Sequence, residues 1–90
     1  GIPSEMVLNQ NYPNPFNPVT NITFEIKNGT EVLLRVYDVM GNEVATPFAG
    51  YKSAGRHTIK FDASGLNSGI YFYTLKTGAG TQSRKMTLLK

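Results

Sequence analysis

Residues 20–37 read TNITFEIKNGTEVLLRVY. From Thr20 to Ile26, Ile22, Phe24 and Ile26 alternate with Thr23 and Glu25, the period-2 pattern of a half-buried strand. Asn28-Gly29 follows, a pair that tolerates positive φ at both positions, and it predicts a two-residue hairpin into a second strand from Glu31 to Tyr37. In that second strand Val32, Leu34 and Val36 face one way while Leu33, Arg35 and Tyr37 face the other. Apolar residues on both faces suit a strand in the middle of a sheet.

Upstream, Tyr12-Pro13-Asn14-Pro15-Phe16-Asn17-Pro18 excludes both helix and central strand. Each proline fixes its own φ, removes a backbone donor and pushes the preceding residue toward extended geometry. The stretch therefore runs as a stiff, kinked connector. Tyr12 and Phe16 are expected to anchor it to a core, with Asn14 and Asn17 turning their amides onto nearby backbone. A proline-rich interaction motif would want basic flanks, which this segment lacks.

Downstream, Asp38-Val39-Met40-Gly41 places Asp first and Gly fourth, the preference of a type I turn closed by a left-handed residue. It leads into a short strand near Glu43 to Ala45. Pro47, Gly50 and Gly55 mark 47–55 as a loop or a weak edge strand. Arg56, Thr58 and Lys60 then alternate with His57, Ile59 and Phe61. Gly69 to Lys76 is apolar on both faces, which reads as the most buried strand, and Gly78-Ala79-Gly80 turns it into a final strand from Gln82 to Leu89. With a short first strand around Met6 to Asn9, the chain holds about seven strands at hairpin spacing and no helical period. The expected class is all-β, a seven-stranded antiparallel immunoglobulin-like β-sandwich, with a small open barrel as the alternative. In Leu66-Asn67-Ser68-Gly69-Ile70-Tyr71, the tyrosine has the placement of a tyrosine corner, its hydroxyl bonding upstream backbone.

The chain of 90 residues is read as one domain, 1–90, with a single modest core. It has no cysteine, so disulfides and thiolate metal sites are excluded. No apolar run approaches about 18 residues and no charged-then-apolar leader is present, which argues against membrane insertion and an N-terminal signal peptide. A net charge of +3 without a basic stripe interleaved with aromatics argues against nucleic acid. The single histidine, His57, shares an inward face with Ile59 and Phe61 and reads as packed, not catalytic. No nucleophilic triad has a starting point. Glu5, Glu25, Glu31, Asp38, Glu43 and Asp62 are spread over different elements, and Asp38 and Asp62 are better explained as turn-capping residues. A calcium site from Asp62, Ser64 and Asn67 would lack the usual density of acidic ligands. The reading is therefore no enzyme, no catalytic residues, no metal and no cofactor.

YPNPFNP at 12–18, VYDVMG at 36–41, AGRH at 54–57, FDA at 61–63, LNSGIYF at 66–72 and KMTLLK at 85–90 follow one another in an order and spacing that resemble the C-terminal sorting domains of the type IX secretion system, type A. The resemblance covers essentially the whole chain. Each motif alone is weak; all of them in register are specific. Pro13, Asn14, Pro15, Phe16, Asp38, Gly41, Gly55 and Asp62 fall in these motifs as structural positions. The family resembles the immunoglobulin-like domain of flagellar hook-capping proteins, in agreement with the sandwich reached from periodicity.

The resemblance implies an address, not a reaction. Such domains end large secreted proteins that reach the periplasm by a separate leader, are read by an outer-membrane translocon, and are often removed by a surface sortase that joins the cargo to lipopolysaccharide. The expected localisation is thus secreted or cell surface, via the periplasm. The resemblance places translocon and sortase recognition at Gly69, Tyr71, Lys85, Met86, Leu88 and Lys90. A terminal strand is easily peeled, and an edge strand can pair with a receptor sheet or with a second copy as a dimer. The start at Gly1-Ile2-Pro3-Ser4, without methionine, reads as a domain excised from a larger secreted protein. Two rivals remain: a structural spacer, and a carbohydrate-binding module using Tyr37, Tyr51, Tyr71 and Tyr73 for weak glycan binding.

Overall fold

Period-2 alternation in the chain becomes two packed layers in the computed structural model, which describes residues 6–90. The strands are β1 (Met6–Leu8), β2 (Val19–Ile26), β3 (Thr30–Tyr37), β4 (Glu43–Lys52), β5 (Gly55–Asp62), β6 (Gly69–Thr77) and β7 (Gly80–Leu88). One sheet has the order β1-β2-β5 and the other β4-β3-β6-β7, and every strand pairing is antiparallel. The fold is the all-β, immunoglobulin-like sandwich that the alternation predicts. Among the described residues no helix is long and apolar enough to cross a membrane.

The inward-facing sets make one core. Ile22, Phe24 and Ile26 of β2 join Val32, Leu34 and Val36 of β3, Tyr71, Tyr73 and Leu75 of β6, and Met86 and Leu88 of β7. Burying each large apolar side chain is worth about 1.5–3 kcal/mol, so these alternating positions supply the main driving force for closing the sandwich. Phe16, Phe61 and Ala63 close one end, with the Phe16 and Phe61 rings tilted at a centroid distance of 6.4 Å.

Several local expectations hold. The Asp38 turn closes with Gly41 at φ 85° and a hydrogen bond from the Gly41 N–H to the Asp38 carbonyl at 3.0 Å. Asp38 Oδ1 also accepts from the N–H groups of Met40 and Asn42, both at 2.9 Å. Gly78-Ala79 forms the two-residue loop of the β6–β7 hairpin, with Thr77 opposite Gly80. The Tyr71 hydroxyl donates to the Asn67 carbonyl at 2.7 Å, which is the expected tyrosine corner.

Two expectations fail, and one open alternative resolves. Asn28-Gly29 is not a hairpin: β2 and β3 lie in different sheets, and neither residue has positive φ. Instead β2 pairs with β1 and β5, and the link crosses between layers. Gly29 leaves room there for Tyr51, whose hydroxyl occupies the place a Cβ would take. Residues 47–55, expected as a loop or a weak edge strand, take the second form as far as Lys52: β4 continues as an edge strand through Pro47, with register shifts opposite β3 between Leu34 and Tyr37. Proline is tolerated because an edge strand has one side without ladder bonds. Finally, β6 is central but buried on one face only, since Ile70 and Phe72 are 43% and 39% exposed.

Candidate recognition site at the last strand

β7 ends the four-stranded sheet, yet its outer edge is not free. Residues 6–16 lie along it. The Gln82 carboxamide imitates a peptide group toward β1: its Nε2 donates to the Met6 carbonyl and its Oε1 accepts from the Leu8 N–H, both at 3.0 Å. Arg84 Nε donates to the Leu8 carbonyl, and Gln10 Nε2 donates to the Lys85 carbonyl at 2.7 Å. Farther along, Asn14 Oδ1 accepts from the Thr87 N–H, Phe16 N–H donates to the Thr87 carbonyl and Leu89 N–H donates to the Phe16 carbonyl, each at 3.0 Å. Lys90 is held too, with its N–H on Ser68 Oγ at 2.9 Å and its ammonium on the Ser64 carbonyl at 2.6 Å.

The proline segment can serve as this clasp because a buried polar cluster fixes its start. Asn11 and Thr20 are buried; Asn11 Nδ2 donates to Thr20 Oγ1 at 3.0 Å and to the Pro13 carbonyl at 3.1 Å, and Thr20 Oγ1 donates to the same carbonyl at 2.9 Å. The fully buried Tyr73 hydroxyl donates to the Asn9 carbonyl at 2.7 Å and accepts from the Asn11 N–H at 2.8 Å. Burial disfavours the phenolate and raises the Tyr73 pKa, against the opposing influences of the Asn11 N–H and Arg84. Asn11, Thr20, Tyr73 and Gln82 were invisible to sequence reasoning in these roles, since Asn11, Tyr73 and Gln82 meet partners distant in the chain and Thr20 bonds back across the proline segment.

Of the expected anchors, Phe16 is buried but Tyr12 is 79% exposed. Tyr12 pairs with Asn21 through both backbone groups, so alternation after buried Asn11 turns its ring outward. Asn14 reaches β7 where a local backbone contact was expected. Pro13 and Pro15 are exposed on the clasp, and Gly55 opens β5 opposite Ile26. Asp62 Oδ1 accepts from the Ser64 N–H at 2.9 Å, and that bond, reinforced by the charges of Lys60 and Lys90, lowers the Asp62 pKa.

The residues assigned to recognition divide by side. Tyr71, Met86 and Leu88 are buried, with Met86 and Leu88 at 0% exposure. Gly69 opens β6 at φ 153°, where a side chain would be strained. Lys85 and Lys90 are exposed. The structure thus brings these residues onto the adjacent strands β6 and β7, with Lys90 just beyond the end of β7, while only the lysines present side chains to solvent.

Among the described residues, the histidine and most of the carboxylates are engaged in local contacts. His57 hydrogen-bonds through Nε2 to the Ser53 carbonyl at 2.8 Å and packs on Phe24 at 5.6 Å between ring centroids. Asp38 and Asp62 are engaged by turn N–H groups, Glu43 pairs with Arg35 at 3.1 Å, and Glu25 pairs with Arg56 at 3.6 Å. No group of three or more acidic, histidine or cysteine residues capable of holding a metal occurs among the described residues. Of the four tyrosines considered for sugar, Tyr71 and Tyr73 are in the core, whereas Tyr51 is exposed.

The chain is thus an immunoglobulin-like sandwich whose final strand is clasped by the segment ahead of β2. Residues 10–88 match the family described as the secretion system C-terminal sorting domain, and the chain belongs to that family, the sorting domains of the type IX secretion system. Its role is that of a C-terminal sorting signal, and proteins sorted in this way are secreted or attached to the cell surface. No curated protein sequence matches the chain. In fold it is similar to part of dimeric latent PorU from Porphyromonas gingivalis, with a TM-score of 0.71 and 17% identity, covering 93% of this chain and 9% of that one. The chain therefore spans under a tenth of that protein. A second solved structure, the Pseudomonas fluorescens alkylpurine DNA glycosylase AlkC bound to DNA, aligns over 97% of this chain and 31% of its own at 14% identity, with a TM-score of 0.48.

Proposed function

We propose that this domain is a non-catalytic tail that carries an attached protein from the periplasm through the outer-membrane translocon of the type IX system, to the surface or the medium. The observation that carries this reading is the family match over residues 10–88. The architecture supports it: a sandwich with satisfied turn carboxylates is suited to being bound. Translocon and sortase components are the partners. Lys85 and Lys90 are the contacts within the assigned set, while Gly69, Tyr71, Met86 and Leu88 hold β6 and β7 in position for them.

The test is a fluorescent protein, directed to the periplasm and fused ahead of residues 1–90, in a bacterium that has the type IX system. Fluorescence at the surface or in the medium with the intact tail, and its loss when residues 85–90 are removed, is the expected result. Retention of the intact fusion in the periplasm, with its tail folded, would refute the sorting role for this chain.

A further inference from the structure

The two outer faces of the sandwich differ in character. On the three-stranded sheet, β2 presents Asn21, Thr23 and Glu25 opposite Lys60, Thr58 and Arg56 of β5. These rows are polar and internally paired, with Thr23 and Thr58 hydroxyls 2.9 Å apart and Glu25 on Arg56. On the four-stranded sheet one end of the outer face is apolar, beyond the polar row of Arg35, Thr74 and Ser83. Tyr37 of β3 lies opposite Phe72 of β6, Phe72 lies opposite Lys85 of β7, and Ile70 lies opposite Thr87. These are the outward neighbours of Tyr71, Met86 and Leu88, whose side chains point into the core. Two large apolar residues on one central strand, Ile70 and Phe72, leave about two-fifths of their surface exposed beside each other.

Charge is placed at the same edge. Lys85 of β7 lies opposite Phe72, whereas Arg84 and Lys90 are engaged by the Leu8 and Ser64 carbonyls. No acidic side chain forms an ion pair with Lys85 among the described residues. Arg35, at the far side of the Tyr37–Phe72 row, is already matched by Glu43. An apolar centre with an uncompensated cation at its rim fits a partner that is apolar at its centre and acidic at its margin. A second copy laid on this face would oppose like charges.

Resting on the sorting role, we propose that the outer face of the β3-β6-β7 sheet, centred on Phe72 and Ile70 and bounded by Tyr37 and Lys85, docks an acidic-rimmed apolar surface on a protein of the secretion machinery. Phe72 and Ile70 act as its anchors. Lys85 steers the approach.

The test uses the full 90-residue tail on the fluorescent cargo. The double variant Ile70→Thr/Phe72→Thr and the single variant Lys85→Glu should each lower surface fluorescence about tenfold or more, as truncation of interface anchors does. Lys60→Glu, on the opposite face, should leave it unchanged. Lys85→Glu removes no packing and so keeps the test valid should the double variant unfold. Export of folded Lys85→Glu and of the folded double variant at the unmodified level would overturn this docking face while leaving the sorting role intact. Failure of the unmodified fusion to be exported would overturn both. A tail that sediments as a dimer, and becomes monomeric in the double variant, would assign the face to a second copy instead.

Discussion

Asn14 Oδ1 accepts a hydrogen bond from the Thr87 backbone N–H at 3.0 Å, joining residues 73 positions apart. The bond caps an edge group that would otherwise be offered to another chain, and Phe16 holds the next two edge groups, the Thr87 carbonyl and the Leu89 N–H. The proline-rich segment is thus the cover of the last strand.

Loosening this clasp should weaken β7 before the rest of the sandwich. Asn14→Ala is expected to cost about 1 kcal/mol, the typical net worth of one hydrogen bond. Phe16→Ala, which empties a buried site, should cost about 3–5 kcal/mol. Urea unfolding reads both values, and amide exchange should accelerate at Thr87 and Leu89 in Asn14→Ala while the β3 amides stay protected. Uniform acceleration across both sheets would contradict a local clasp.

Gln82 acts as a peptide surrogate between β1 and β7. Gln82→Ala leaves the Leu8 N–H and the Met6 carbonyl without that partner, and should cost about 1–3 kcal/mol. Gln82→Glu retains an acceptor for Leu8 but no donor for Met6, so it should recover less than half of the loss at neutral pH. Equal stability of both variants and the parent, by chemical denaturation, would show that the strap is dispensable.

Tyr73 makes stability depend on alkaline pH. Burial raises its pKa in the folded state above the unfolded value of about 10. The folded protein therefore holds this proton more tightly, and the resulting stability is fully present below about pH 10 and is lost as pH rises through the folded value. Tyr73→Phe should flatten that alkaline decline. At neutral pH it should lower stability by about 1–3 kcal/mol, because the Asn9 carbonyl and the Asn11 N–H lose their shared partner. Thermal melts from pH 7 to 11 provide the comparison.

Gly69 and Gly29 should respond differently to alanine. Gly69 has a φ of 153° with open space where a side chain would stand, so Gly69→Ala should cost about 1 kcal/mol from backbone strain alone. At Gly29 the obstacle is the far end of Tyr51, a side chain 63% exposed that can swing into solvent. Gly29→Ala should therefore stay within about 0.5 kcal/mol of the parent. A larger loss at Gly29 than at Gly69 would reverse this assignment.

Local features were legible in the sequence. Alternation set the inward residues of β2 and divided β3 and β6 into two faces, the Asp38–Gly41 and Gly78-Ala79 turns carried their own chemistry, and Tyr71 announced its corner by spacing. The assigned recognition residues were legible as positions but not as orientations: nothing local distinguishes inward Met86 from outward Lys85 until β7 is packed. Tyr12 misled for a related reason, since aromatic character suggested an anchor while strand parity turned the ring to solvent.

By itself the sequence determined the class of fold, the strand count and the family, because period-2 patterning and turn chemistry act over a few residues and the family's motifs run in register. Tertiary structure alone decided which strands became neighbours. It made Asn28-Gly29 a crossover, carried β4 through Pro47, and brought Asn14, Gln82 and Tyr73 to partners more than 60 residues away. Those choices depend on closing both layers over one core, so their energy appears only when distant segments meet.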